Sequence, residues 1–269
     1  MSRMQDSGPD RVRPDVRFRL LGPLEVLKEG RDYAPTAQKV MQLLAMLVIR
    51  PGKIVHTDLI LEELWADEPP RRVRSTLQTY VYQLRRCIEQ NGLGPDGEAL
   101  LVTRPSGYVF RIEPMQTDVY EFEHLYGLGR GAMEAGRFGE AADLLEAAVS
   151  LWSGPPLASI NCGPVLTAYA VGLAERRRNT QHLLIEARIA CGEHREAIGE
   201  LRSLVATNPL DEGLHAQLMR VLALSGRRSD AMSTYRELRA RLSSELGIEP
   251  SDELQTLHHE VLCAGEPHL

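Results

Sequence analysis

The sequence predicts a small α+β unit over residues 16–114, preceded by a disordered tail over 1–15, and then an all-α unit over 115–269. Three observations carry this reading. In the first part, short alternating runs bounded by Gly, Pro and Asn flank a block of helical periodicity. After Pro114 the apolar spacing is helical throughout. Within that second part Gly192 and Gly226 stand 34 residues apart, each ahead of a similar helical run.

The elements follow in order. VRFRLL (16–21) alternates like a strand, and Gly22-Pro23 breaks it. LEVL (24–27) is a second strand, Glu29-Gly30 a turn, and 31–34 a third short strand. Thr36 is a candidate N-cap for a helix with the stripe Val40, Leu43, Leu44, Leu47 and Val48, stopped by Pro51-Gly52. After the extended pair Ile54-Val55, Thr57 can cap a second helix over 58–65. Its Leu61, Leu64 and Trp65 face a core, and Glu62 and Glu63 read as its solvated face. Residues 66–70 (ADEPP) form a proline-stiffened acidic loop. A longer helix follows within 69–91, and 91–97 is a Gly/Pro/Asn loop. ALLVTR (99–104) and YVFRI (108–112) then make a hairpin around Pro105-Ser106-Gly107. The order β-β-β-α-α-α-β-β is that of an N-terminal winged helix-turn-helix, whose third helix enters the major groove of DNA with the hairpin wing beside it.

The third helix has two faces of different chemistry. Leu77, Val81, Leu84 and Ile88 make one apolar stripe. At about 100° per residue, Ser75, Thr79, Tyr82 and Arg86 lie opposite it. Arg72 and Gln83 flank that side on one edge and Gln78 on the other. The segment carries Arg71, Arg72, Arg74, Arg85 and Arg86 against a single acid, Glu89. These residue types suit double-stranded DNA: guanidiniums reach phosphates, while amides and hydroxyls reach base edges. Ser75, Gln78, Thr79 and Tyr82 are therefore expected to read bases or nearby phosphates. Arg72, Arg74, Arg86 and, next to the wing tip, Arg104 are expected on the backbone. Lys53 and Arg111 are further phosphate candidates. Arg85 points to the flank, where an internal or an intersubunit salt bridge is equally open. A basic helix taken alone is usually a solvated surface; its setting between a short helix and a hairpin changes that balance.

The second part reads as a tetratricopeptide-like helical repeat. Gly136, Gly192 and Gly226 each end a first helix, and Ala141, Ala197 and Ala231, five residues on, begin the packing face of the next. Gly136 to Gly192 is 56 residues, 22 more than the repeat, and the excess falls in the Gly/Pro-rich stretch 152–164 and the helix after it. Residues 245–252 lead to a last helix, 253–264. The apolar faces of these repeats are more often core than ligand pocket.

Composition narrows the function. Residues 1–114 hold 17 Lys+Arg against 15 Asp+Glu, and 115–269 hold 14 against 22, so the two parts carry +2 and −8 of the chain's net −6. An acidic chain still binds nucleic acid when its basic groups share one surface. No run of 18 apolar residues exists, so no membrane partner is expected. The charged N-terminus is no secretory signal. Cys87, Cys162, Cys191 and Cys263 are scattered, which argues against zinc or disulfides, for buried or neutral fillers, and for the reducing cytoplasm. His258-His259 is a poor chelate, because adjacent helical residues diverge. No P-loop, GxGxxG, GxSxG or HExxH occurs. No enzyme, metal or cofactor is expected.

Motifs along the whole chain sharpen this. RFRLLGPLEV (17–26), ELW (63–65), TLQTYVYQLRR (76–86) and SGYVFRI (106–112) are joined to LWSGPPL (151–157), NPLDE (208–212), GRRSDAM (226–232) and LGIEPSDELQTLHHEVL (246–262). In these the chain resembles the Streptomyces antibiotic regulatory proteins, activators with a winged helix followed by a bacterial transcriptional activator domain. The resemblance implies binding to direct repeats near promoters of antibiotic and other secondary-metabolite gene clusters. It also implies self-association in side-by-side pairs on DNA and recruitment of RNA polymerase through sigma factor and core subunits. It assigns polymerase contact to the loop before the third helix, here Asp67 and Glu68. The chain is similar to the short class without an appended NTPase domain. With some 15 residues before the first strand, no receiver domain is expected in front. The competing expectation is a protein-binding scaffold, distinguished by whether residues 1–114 retard promoter DNA.

Overall fold

The computed structural model describes residues 16–66, 68–94 and 99–263; the expected tail over 1–15 lies outside them. The described part is an α+β winged helix-turn-helix region followed by a helical region, as the sequence predicts. Strands β1 (Val16–Arg19), β2 (Glu25–Lys28) and β3 (Arg31–Asp32) form an antiparallel sheet in that order. Helix α1 (Gln38–Val48), strand β4 (Ile54–His56), and helices α2 (Thr57–Trp65) and α3 (Val73–Gln90) follow. Strands β5 (Leu101–Arg104) and β6 (Gly107–Phe110) complete a second sheet of order β4-β6-β5.

Every residue of α1 from Val40 to Val48 is buried, so this helix is the centre of the first core. Phe18 of β1 meets Phe110 of β6 edge-on, with centroids 5.5 Å apart, joining the two sheets. Neither threonine cap forms. Helix α1 is capped at Ala37 with no side-chain bond, the Ala37 carbonyl accepting from Val40 and Met41. Helix α2 springs directly from β4, with His56 in the cap position and Thr57 already helical. The Thr57 N–H donates to the Ser106 carbonyl at 3.0 Å, so strand pairing holds this helix start.

The chain forms two compact units that differ from the division expected at Pro114. One comprises Met1–His124 with Ser150–Arg177, the other Leu125–Val149 with Arg178–Leu269. Helices α4 (Asp118–Glu134) and α6 (Pro164–Ala190) each contribute to both. The irregular stretch 152–164 belongs to the first unit because its backbone is bonded to the β1–β2 turn. Ser153 N donates to Leu21 O, Leu157 N to Leu20 O and Ala158 N to Gly22 O, at 2.9–3.2 Å. Leu24 N donates in return to Ser159 Oγ at 2.9 Å. A Cβ on Gly22 would fall 1.9 Å from Ser153 Oγ, so any side chain there would force that hydroxyl to turn away. Leu157, Ile160 and Leu166 bury themselves in the same core as α1.

Two carboxylates tie this region together. Asp118, at the start of α4, accepts from Leu20 N and Leu21 N at 2.9–3.0 Å. Burial pushes its carboxyl up to about 6, against the opposing pull of those N–H donors. Glu63 does not lie on a solvated face. It is 2% exposed and accepts from Gly163 N, Val165 N and Leu166 N at 2.6, 2.8 and 3.0 Å. These donors lie just ahead of α6 and in its first turn, where no intrahelical acceptor exists, and Pro164 between them has no N–H to satisfy. A Cβ on Gly163 would fall 2.2 Å from the Glu63 carbonyl, which is why the helix can come so close. Gln42 of α1 completes the cluster, its Nε2 donating to Glu63 O and Oε1 at 2.8 and 3.1 Å.

The second unit holds α5 (Phe138–Ser150), α7 (His194–Thr207), α8 (Glu212–Leu224), α9 (Arg228–Leu246) and α10 (Asp252–Cys263), with parts of α4 and α6. Gly136, Gly192 and Gly226 adopt φ of +70°, +81° and +73°, the left-handed stop that separates paired helices. Ala141, Ala197 and Ala231 are each fully buried, as their common spacing predicts. Arg188 of α6 bridges Glu146 of α5 and Glu200 of α7. Asp211 caps α8 through Leu214 N at 3.1 Å. Helix α10 seats Leu254, Leu257 and Val261 in the α8–α9 core, and His258 stacks on Tyr235 at 3.9 Å.

Glu63→Gln turns one acceptor oxygen into a donor facing N–H groups. We expect a loss of about 1–3 kcal/mol in urea unfolding of the full chain, the cost of leaving buried donors unmet; unchanged stability would rule out this role for the carboxylate.

Candidate nucleic-acid interface

Helix α3 forms because its apolar stripe has a core to meet. Leu77, Val81, Leu84 and Ile88 are all buried, 1–7% exposed. Trp65 at the end of α2 stacks on Tyr80 with centroids 6.0 Å apart, which fixes the two helices of the helix-turn-helix. The Lys39 ammonium bonds to the Leu64 carbonyl at the α2 C-terminus, where a cation is favoured. Between the helices, Ala66 has φ +45°, a conformation that costs a residue with a Cβ and turns the chain sharply. Glu68 is exposed, with its N–H donating to Trp65 O at 2.9 Å. Asp67, the other acid of that loop, lies outside the described residues.

The other face of α3 is brought together as expected. Arg72, Arg74, Ser75, Gln78, Thr79, Tyr82, Gln83 and Arg86 are all exposed, and Tyr82 stands out at 63%. Their local bonds refine what each can do. Ser75 Oγ donates to the Arg72 carbonyl at 2.9 Å and Thr79 Oγ1 to the Ser75 carbonyl at 3.1 Å. Both hydroxyl protons are thus held by the helix, leaving the oxygens free as acceptors. Arg74 lies 3.9 Å from Asp58, with side chains 78% and 90% exposed, a pairing too loose to hold it. No ion pair among the described residues engages Arg72, Arg86, Arg104 or Lys53.

The hairpin supplies the second surface. Strands β5 and β6 pair from Leu101↔Phe110 to Arg104↔Gly107, with Pro105 and Ser106 as the turn. Strand β4 pairs with β6 on the other side. Gly107 is required, since a Cβ there would lie 2.0 Å from the Val55 carbonyl. Arg104 is exposed at the end of β5, Lys53 just ahead of β4, and Arg111 just after β6. Arg85 makes no salt bridge among the described residues. It turns to the hairpin, Nε donating to Leu101 O at 3.2 Å and Nη2 to Thr103 Oγ1 at 2.7 Å. Sequence spacing put Arg85 on the flank but could not name this partner.

Other chemistry is sparse. No cluster of three or more metal-ligating side chains occurs among the described residues. Cys87 and Cys162 are half-buried, whereas Cys191 and Cys263 are exposed rather than fillers of a core. Among the described residues no helix is long and apolar enough to cross a membrane. A cleft of about 420 Å³ between α7, α8 and α9 is lined by Arg202, His215, Asp230, Glu237 and Arg241, acids matching bases. Burial pushes the His215 imidazole below its usual value.

A basic and polar helix face beside a basic-tipped wing, followed by a helical repeat, defines a winged-helix transcriptional regulator. Comparison narrows the class. The bacterial transcriptional activator domain matches residues 117–262, and the C-terminal domain of transcriptional regulatory proteins matches 32–110. Regulatory protein DnrI of Streptomyces peucetius is 35% identical over 252 residues, 93% of each chain. Regulatory protein AfsR of Streptomyces coelicolor is 32% identical over 93% of this chain, which spans 24% of AfsR. The solved structure of Mycobacterium tuberculosis EmbR, in complex with a low affinity phosphopeptide, superposes with a TM-score of 0.86 at 33% identity. That match covers 94% of this chain and 66% of EmbR. The chain belongs to the Streptomyces antibiotic regulatory protein family, and as such is a DNA-binding transcriptional activator.

Proposed function

We propose that this chain binds direct repeats at promoters as side-by-side pairs and recruits RNA polymerase there. The genes it switches on are those of a secondary-metabolite, antibiotic-type cluster, and it works in the cytoplasm at the nucleoid. The observation that carries the DNA-binding part is the exposed face of α3, with free guanidiniums at both ends and polar groups between them. Gln78, with Tyr82, Thr79 and Ser75, reads bases or nearby phosphates. With their protons returned to the helix, Thr79 and Ser75 offer acceptors to base amino groups, and the Thr79 methyl can meet a thymine methyl. Arg72, Arg74 and Arg86 hold the backbone beside the groove, and Arg104 with Lys53 holds it from the wing. Glu68, together with Asp67, meets polymerase. Family membership supports the polymerase and repeat readings, and the acidic second half supports a partner beyond DNA.

Gel retardation of the full chain on promoter DNA tests the assignments. Arg86→Ala is expected to weaken binding to every sequence and to lower the slope of log K against log salt by about one; an unaltered slope would remove Arg86 from the phosphate set. Gln78→Ala is expected to cost about 1–3 kcal/mol at one base position and relax preference there, which competition by single-base variants measures. A uniform loss across all variants would deny it base reading. Glu68→Ala should leave retardation unchanged while reducing transcription in a reconstituted polymerase assay several-fold. Undiminished transcription would discard the polymerase contact.

A further inference from the structure

The two DNA-facing elements are joined by a long stretch of chain. Helix α3 ends at Gln90 and β5 begins at Leu101, so chain connectivity does not set their spacing. Strand β5 is also the edge of its sheet, order β4-β6-β5, with no strand partner on one side among the described residues. The Leu100 carbonyl accepts from Arg111 N at 2.8 Å across the hairpin. Successive carbonyls alternate in direction, so that of Leu101 points to the open edge. Arg85 of α3 meets it there.

The Arg85 guanidinium spans that edge, holding Leu101 O with Nε and Thr103 Oγ1 with Nη2. Both partners are neutral, so the charge of Arg85 is not cancelled. Arg86, next on the helix, is exposed, and Arg104, next after Thr103, is exposed at the tip of the wing. One arginine thus braces the helix against the strand, and its neighbours on both elements face solvent. The planar fork with fixed N–H directions does this; a lysine ammonium is a point charge on a flexible stem.

We propose that Arg85 is a positioning residue that sets the separation of recognition helix and wing, so that Arg104 reaches the DNA backbone when α3 is seated in the groove. This rests on the reading that α3 and the wing both touch DNA. It assigns the two adjacent arginines different tasks: Arg86 binds DNA and Arg85 aims the wing.

A double-mutant cycle on the full chain tests it. The probe is a duplex that the wild-type chain itself selects from random sequence, and the readouts are retardation affinity, its salt slope and hydroxyl-radical footprints. In the wild-type background Arg104→Ala is expected to cost about tenfold in affinity, the scale of one charged hydrogen bond. Arg85→Lys keeps the charge and loses the fork. It should weaken binding to a similar extent, lower the salt slope by about one, and erase protection under the wing while leaving base preference under α3 intact. In the Arg85→Lys background, Arg104→Ala should then cost less than about threefold, the two losses sharing one cause. A full tenfold loss from Arg104→Ala in both backgrounds would overturn the positioning role, as would Arg85→Lys with wild-type affinity. Failure of the underlying reading looks different: Arg104→Ala would have no effect even in the wild-type background, which removes the wing contact and this proposal with it. Thr103→Val provides a second variant should Arg85→Lys melt early. It deletes one bond of the brace without touching charge, and it should reproduce the wing-specific loss of protection in part; an unaltered footprint would count against the proposal.

Discussion

The buried carboxylate of Glu63 is the constraint on which the first unit depends. An anion removed from water is costly unless hydrogen bonds and a favourable field replace its hydration. The N–H of Gly163 just ahead of α6, those of Val165 and Leu166 in its first turn and the amide of Gln42 provide this, at the helix end where an acceptor is favoured. The arrangement works both ways. Helix α6 begins where it does because Glu63 accepts from its orphan donors, and α2 holds an acid in its interior because α6 starts there. Glu63 stands two residues before Trp65, whose ring rests on α3. A single capping interaction therefore joins the activator-domain segment to the frame of α3.

On that frame the arginines divide their work according to which side of α3 they leave. Arg86 projects to solvent, Arg85 to the hairpin edge, and Arg74 sits loosely near Asp58. Residue type alone makes these equivalent, and the backbone carbonyls within reach separate them. The same holds for hydroxyls. Ser75 and Thr79 sit on the outward face, and by returning their protons to the helix they present acceptor oxygens there.

Much of this was legible in residue order. The α3 stripe, the hairpin around Pro105-Ser106-Gly107, the glycine stops and the buried alanines after them all depend on local rules: helical period, strand alternation and the left-handed tolerance of glycine. What escaped was non-local. Thr36 and Thr57 have the chemistry of caps, but the chain enters both helices by backbone bonding instead. Glu63 followed the rule that acids on amphipathic helices face water, and its acceptor role needs a helix start 100 residues away. A clue was present, since Glu63 follows Ile60 by three residues and so shares its inward face. The resemblance motifs RFRLLGPLEV and LWSGPPL were read as signatures of separate halves. In space they are one contact, with Leu20, Leu21 and Gly22 bonded to Leu157, Ser153 and Ala158. Their specificity as a pair has a steric origin.

That contact bears on how regulators of this type can be recombined. A side chain at Gly22 would displace the Ser153 hydroxyl, and Gly163 has no room for one against the Glu63 backbone. A hybrid spliced at residue 114 would place a foreign β1–β2 turn under the native 153–159 strap and a foreign helix end under the native α6. Grafts that keep the strap and the start of α6 with their own winged helix preserve both fits. The transplantable winged-helix cassette is thus discontinuous in sequence, made of two stretches that must travel together.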